Sequence, residues 1–135
     1  MVFAPDIGFA NGSDTLYAAD LSSPIDFGTV KPGATSSAVT IKIINYSTDV
    51  KLVAVEVDGI EHPYGYQTGD AEDTYDIMEF SATSGGTYTD GVPLYIRECP
   101  ADSTVIIYAK WSPSINTAIG TYYWGFVATG NYEGV

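Results

Sequence analysis

Val39, Ile41 and Ile43 alternate with Thr40, Lys42 and Ile44, and the same two-residue rhythm returns three more times along the chain. Val53, Val55 and Val57 alternate with Leu52, Ala54 and Glu56; Val105, Ile107, Ala109 and Trp111 form a third series; Tyr122, Trp124, Phe126 and Ala128 form a fourth. Side chains on an extended backbone point to opposite faces in turn, so a period of two marks strands with one buried face. The large members of the four series are the expected core. No window carries a helical stripe, and runs rich in Val, Thr, Tyr and Gly are poor helix material. Ser22-Ser23-Pro24, Lys31-Pro32-Gly33, Asp58-Gly59 and Gly85-Gly86 separate the runs with turn chemistry. The pattern predicts strands over 15–21, 25–30, the Val39 and Val53 runs, 75–82, 92–99, 103–112 and 121–129. Seven or eight short strands in 135 residues predict an all-β sandwich of two antiparallel sheets.

A chain of 135 residues suits one domain with its own core. Residues 14–135 are assigned to that domain. Residues 1–13 lack periodicity and end in the turn signal Asn11-Gly12-Ser13, which reads as an extended N-terminal arm. A frayed terminus and a first edge strand are the rival readings of the same residues.

Two stretches resemble a known family. Ile25-Asp26-Phe27-Gly28-Thr29-Val30, with Pro32-Gly33 and then Val39-Thr40-Ile41-Lys42-Ile43-Ile44-Asn45, is similar to the opening of the abnormal-spindle and hydin (ASH-type) immunoglobulin-like domains. Asp102-Ser103-Thr104-Val105-Ile106-Ile107-Tyr108-Ala109-Lys110-Trp111-Ser112-Pro113, followed by Gly120-Thr121-Tyr122, resembles their second half. The resemblance covers about residues 25–59 and 100–130, and residues 60–90 depart from it in length and in their Tyr, Gly and Asp content. It implies an immunoglobulin-like β-sandwich and does not specify an activity; independently of it, Phe27, Trp111 and Tyr122 read as packing residues.

Five basic residues face seventeen acidic ones, a formal net charge of −12. Phosphate backbones and anionic membranes repel such a surface, so neither nucleic acid nor membrane is an expected partner. The charge serves solubility or steers toward basic partners. No apolar run reaches the roughly 18 residues of a membrane span. The start, Met1-Val2-Phe3-Ala4-Pro5-Asp6, has neither the basic region nor the apolar stretch of a secretory signal, so the chain is expected to act without export or to have had its signal trimmed.

Residues that could carry chemistry are few. The lone Cys99 excludes an internal disulfide and a cysteine-built zinc site, and as an isolated thiol it reads as buried and inert. The single histidine, His62, precedes Pro63 in an expected loop, where a solvated turn residue competes with a catalytic base. No enzyme activity and no cofactor are expected. Asp70, Glu72, Asp73 and Asp76 offer oxygen ligands that would suit calcium, although the EF-hand order is missing and a solvated acidic loop is the competing reading. Tyr64, Tyr66, Tyr75 and Tyr88 stand in or beside the same long loop region as candidate binding residues, set against half-buried edge tyrosines.

The expected function is therefore a non-catalytic structural or binding protein. One reading is a virion component, a phage capsid decoration or tail accessory protein, that assembles with other protein subunits, as a homo-oligomer or on capsid or tail proteins. The alternative is a glycan- or protein-binding module of a bacterial cell-surface protein.

Overall fold

The computed structural model describes residues 6–17, 25–61, 76–88, 94–113, 115 and 124–135, and for 58–61, 76–78 and 124–128 it describes the backbone alone. Seven strands run through these residues: β1 (Ile7–Ala10), β2 (Val39–Asn45), β3 (Val50–Glu61), β4 (Asp76–Ser81), β5 (Leu94–Cys99), β6 (Ser103–Pro113) and β7 (Trp124–Gly134). They form a four-stranded sheet in the order β1-β2-β6-β4 and a three-stranded sheet in the order β5-β3-β7. Every pairing is antiparallel.

The two sheets enclose one core, and the alternation explains how. Ile41 and Ile43 on β2, Val55 and Val57 on β3, Phe80 on β4, Cys99 on β5, and Ile107, Ala109 and Trp111 on β6 are buried against one another. Each large apolar side chain withdrawn from water contributes about 1.5–3 kcal/mol. Register makes the layers coherent: Ile41 stands opposite Ile107, and Ala109 opposite both Val39 and Phe80. Val39 and Val105 are only half-buried, since both sit toward the margins of the sheet. Trp124, Phe126 and Ala128 occupy β7 register positions opposite Glu61, Gly59 and Val57, and Tyr122 falls outside the described residues.

Three sequence expectations are corrected. Within the segment read as an arm, Ile7–Ala10 pairs with β2, because Ile7 and Phe9 have core to cover and Ala10 is fully buried. Of the strand expected over 15–21, residues 15–17 are described and double back on β1, while 18–21 lie outside the described residues. The Asn11 side-chain oxygen accepts from the Ser13 and Thr15 amides, Leu16 bridges Ala10, and the Tyr17 amide donates to the Phe9 carbonyl at 2.8 Å. Residues 25–30 are not a strand. The Asp26 carboxylate accepts from the Gly28 amide at 2.8 Å and Gly28 takes a positive φ of 73°, which breaks any ladder, while Ile25, Phe27 and Val30 still pack on the core.

The third correction lies in β3. Relative to β7, Ala54 and Val55 together oppose the single residue Gly130, so the pairing shifts by one between Val53 and Glu56. Ala54 adopts φ 52°, the left-handed conformation of a β-bulge. The bulge resets the phase. Leu52 packs on the core, whereas Val53, expected inside, lies outside the buried cluster.

One end of the sandwich is tied by a single side chain. Asn45, 1% exposed, ends β2 where the chain crosses to β3, and the turn from β5 to β6 crosses back beside it. Its side-chain amide reaches the carbonyl oxygens of Val50 at 3.0 Å, Pro100 at 3.2 Å and Cys99 at 3.4 Å. Its oxygen accepts from the Ser47 amide at 3.0 Å. Ser47 extends the tie, accepting from the Asp102 amide through its carbonyl and from the Asp6 amide through its hydroxyl.

Candidate functional site

Since Ile41, Ile43 and Asn45 point into the core, Thr40, Lys42 and Ile44 face outward from the four-stranded sheet, and Thr104, Ile106, Tyr108 and Lys110 do the same on β6. Register sets Ile44 between Gly8 and Thr104, and Ile106 opposite Lys42. Gly8 has no side chain to raise, and two others lean over it. A Cβ at that position would stand 2.8 Å from Tyr46 Cε2 and 3.4 Å from Leu16 Cδ2. The result is an apolar stripe, Leu16–Tyr46–Ile44–Ile106, running from the β1 margin across the sheet. Leu16 is 52%, Tyr46 47% and Ile106 43% exposed. Lys42 lies alongside with its charge matched by Asp14 at 2.7 Å. An exposed apolar stripe beside a charge-matched neighbour offers contact area to another surface.

Tyr88 belongs to this face. The Lys110 ammonium sits 4.4 Å from the centre of the Tyr88 ring, and the Tyr88 hydroxyl donates to the Ser84 carbonyl at 2.9 Å. Burial, with a smaller effect from Tyr108, pushes the Tyr88 phenol above its usual range. The hydroxyl therefore stays a neutral donor and the lysine holds one ring face.

The other sequence candidates are distributed differently. Tyr64, Tyr66, Tyr75, His62, Asp70, Glu72 and Asp73 lie outside the described residues. Asp76 opens β4 opposite Pro113, and its side chain is likewise outside the description. Among the described residues no group of three or more His, Cys, Asp and Glu side chains converges on a metal position. Cys99 is 1% exposed and its thiol lies near the carbonyls of Ile43 and Ser103 at 3.8 and 3.9 Å. Burial pushes this thiol up, against a smaller opposing pull from the backbone at Val105 and Asn45, which keeps it protonated and unreactive.

Sequence reasoning missed the stripe. Its signal was Ile44 and Ile106, apolar residues at the outward positions of alternating strands. Leu16, Tyr46 and Gly8 join them only through the hairpin return and the β2–β3 turn, neither of which has a periodicity to read. Among the described residues no helix is long and apolar enough to cross a membrane. A scan against protein-family models, a search of curated proteins and a search of solved structures each return no match to this chain.

Proposed function

We propose that the chain is a non-catalytic, immunoglobulin-like structural protein that assembles through protein–protein contacts as part of a virion, on a capsid or tail surface. The observation that carries this reading is the apolar stripe Leu16–Tyr46–Ile44–Ile106 on the outer face of the four-stranded sheet, with Leu16, Tyr46 and Ile106 about half exposed. In a chain of net charge −12 it is a surface a neighbouring subunit can cover without bringing carboxylates together. The immunoglobulin-like assignment is supported by the order β1-β2-β6-β4, which follows the A-B-E-D sheet of such domains once β5 is counted as an addition before the fifth strand. The second sheet, with β3 at its centre, departs from the usual arrangement. The ASH-type resemblance is consistent with the tie at Asn45, the residue that ends its first motif strand.

The rival reading is a glycan- or protein-binding module of a bacterial cell-surface protein, and its glycan form needs an open aromatic face. At Tyr88 the Lys110 ammonium covers one side, which leaves one ring face for a sugar. Mass spectrometry of particles purified from the source that encodes this chain tests the proposal. The chain is expected in the particles, and Leu16→Glu with Ile106→Glu is expected to remove it while leaving the fold intact. Absence of the wild-type chain from particles, or its retention on glycan surfaces alone, refutes the assembly role.

A further inference from the structure

Among the described residues both sheets are open, and three of the four edges are protected in recognisable ways. β1 is four residues long and its outer side is taken by Leu16 and Tyr17. β4 carries Asp76 and Glu79 in six residues. β5 carries Arg97 and Glu98 in six residues and meets Pro100 immediately after. Short length, charge and proline are the devices that stop an edge from pairing with another chain.

β7 has none of them. It runs for eleven residues, Trp124–Gly134, with Glu133 as its single charge and no proline or lysine. Among the described residues it has β3 on one side and no strand on the other. From Thr129 to Val135 every residue is exposed, so neither face of this half-strand is covered. Tyr132 shares a register position with Leu52, which packs on the core, and is nevertheless 48% exposed. The bulge at Ala54–Val55 is absorbed on the β3 side and leaves the outer side of β7 as one uninterrupted ladder.

We infer that β7 pairs edge to edge with β7 of a second copy of this chain, antiparallel about a two-fold axis, to make one continuous six-stranded sheet in the order β5-β3-β7-β7-β3-β5. Charge selects this occupant. Seventeen acidic residues make most self-contacts repulsive, yet β7 holds one of them in eleven positions. With the axis at Thr129, the middle of the strand, Glu133 falls opposite Gly125 and the two glutamates lie at opposite ends. Phe126 faces Tyr132, Val127 faces Asn131, and Ala128 faces Gly130. No like charges meet, and the backbone supplies the hydrogen bonds. The inference deepens the assembly reading by naming a partner, and rests on it for its biological use.

The test is sedimentation of the chain over a dilution series, with hydrogen exchange read at residues 129–134. The expected result is a species of twice 14.4 kDa that dissociates on dilution, with the alternate amides in 129–134 that point away from β3 protected in the dimer and fast in the monomer. Thr129→Glu with Asn131→Glu places carboxylates around the axis and is expected to weaken dimerisation about tenfold or more. Ala82→Glu with Thr87→Glu adds the same charge in an exposed turn and is expected to leave the dimer unchanged. A chain that stays monomeric at every concentration overturns the inference. So does a dimer whose 129–134 amides exchange at the monomer rate. A solution monomer found in purified particles overturns the edge pairing alone, and a β7 dimer absent from particles overturns the virion role alone.

Discussion

The side-chain amide of Asn45 donates to the carbonyl oxygen of Val50 at 3.0 Å, across the turn that carries the chain from one sheet to the other. The same nitrogen reaches Pro100, in the turn that crosses the opposite way, at 3.2 Å. A donor between two crossovers holds the sheets at a fixed offset, and it is expensive to replace because Val50, Cys99 and Ser47 among its partners are buried away from water.

Asn45→Ala is expected to cost about 2–4 kcal/mol in a denaturant melt, since it strands the Ser47 amide and the Val50 carbonyl together. Asn45→Asp is expected to cost more at neutral pH, because a carboxylate has no donor for the three carbonyls. The gap between the two variants should narrow as pH falls and the carboxyl gains a proton. Equal melts for wild type and Asn45→Ala would remove the tie from the account of the fold.

Gly130 makes room for the bulge. A Cβ there would stand 3.1 Å from the Val53 carbonyl oxygen and 3.2 Å from Val55 Cα, both backbone atoms that cannot step aside. Gly130→Ala is therefore expected to destabilise by about 1–3 kcal/mol. Ala54→Gly relieves a left-handed alanine and should stabilise by up to about 1 kcal/mol. Opposite signs at facing positions are the signature of a bulge. Two neutral substitutions would mean that the register runs straight through.

Much of the architecture was legible because the buried series on β2 and β6 are period-two and uninterrupted. Ile41, Ile43, Ile107 and Trp111 could be placed inside from spacing alone, and the structure buries all four. Val53 could not be placed, because a bulge leaves no mark in composition and a three-valine rhythm runs straight across it. Phe80 gave a weak signal beside Asp76 and Met78 and yet is fully buried, since β4 covers the core with little alternation of its own. The segment 25–30 has strand-like composition, and the Asp26–Gly28 turn overrides it locally. The candidate surface was the least legible part, since Leu16 and Tyr46, on separate turns, meet over Gly8.

Cys99 provides a readout of the core through its thiol. Burial raises its pKa above the ordinary 9.0, so the folded chain holds this proton more tightly than the unfolded chain does. The resulting stability is complete below pH 9.0, the unfolded value, and is lost as pH rises through the higher folded value. Tyr17, whose phenol is also raised by burial and whose hydroxyl donates to the Thr40 carbonyl at 2.9 Å, adds a loss of the same sign beginning near 10.0. Denaturant midpoints measured from neutral pH upward are thus expected to fall in two overlapping steps. Cys99→Ala should cost about 1–2 kcal/mol at neutral pH for the volume removed. It should also abolish the first step and keep the second. In parallel, alkylation of the native thiol should proceed only as fast as the chain unfolds, because Cys99 is 1% exposed between the sheets. Rapid labelling of the folded protein, or a Cys99→Ala variant whose alkaline loss matches the wild type in onset and size, would place this thiol at the surface and refute the packing of β5 described above.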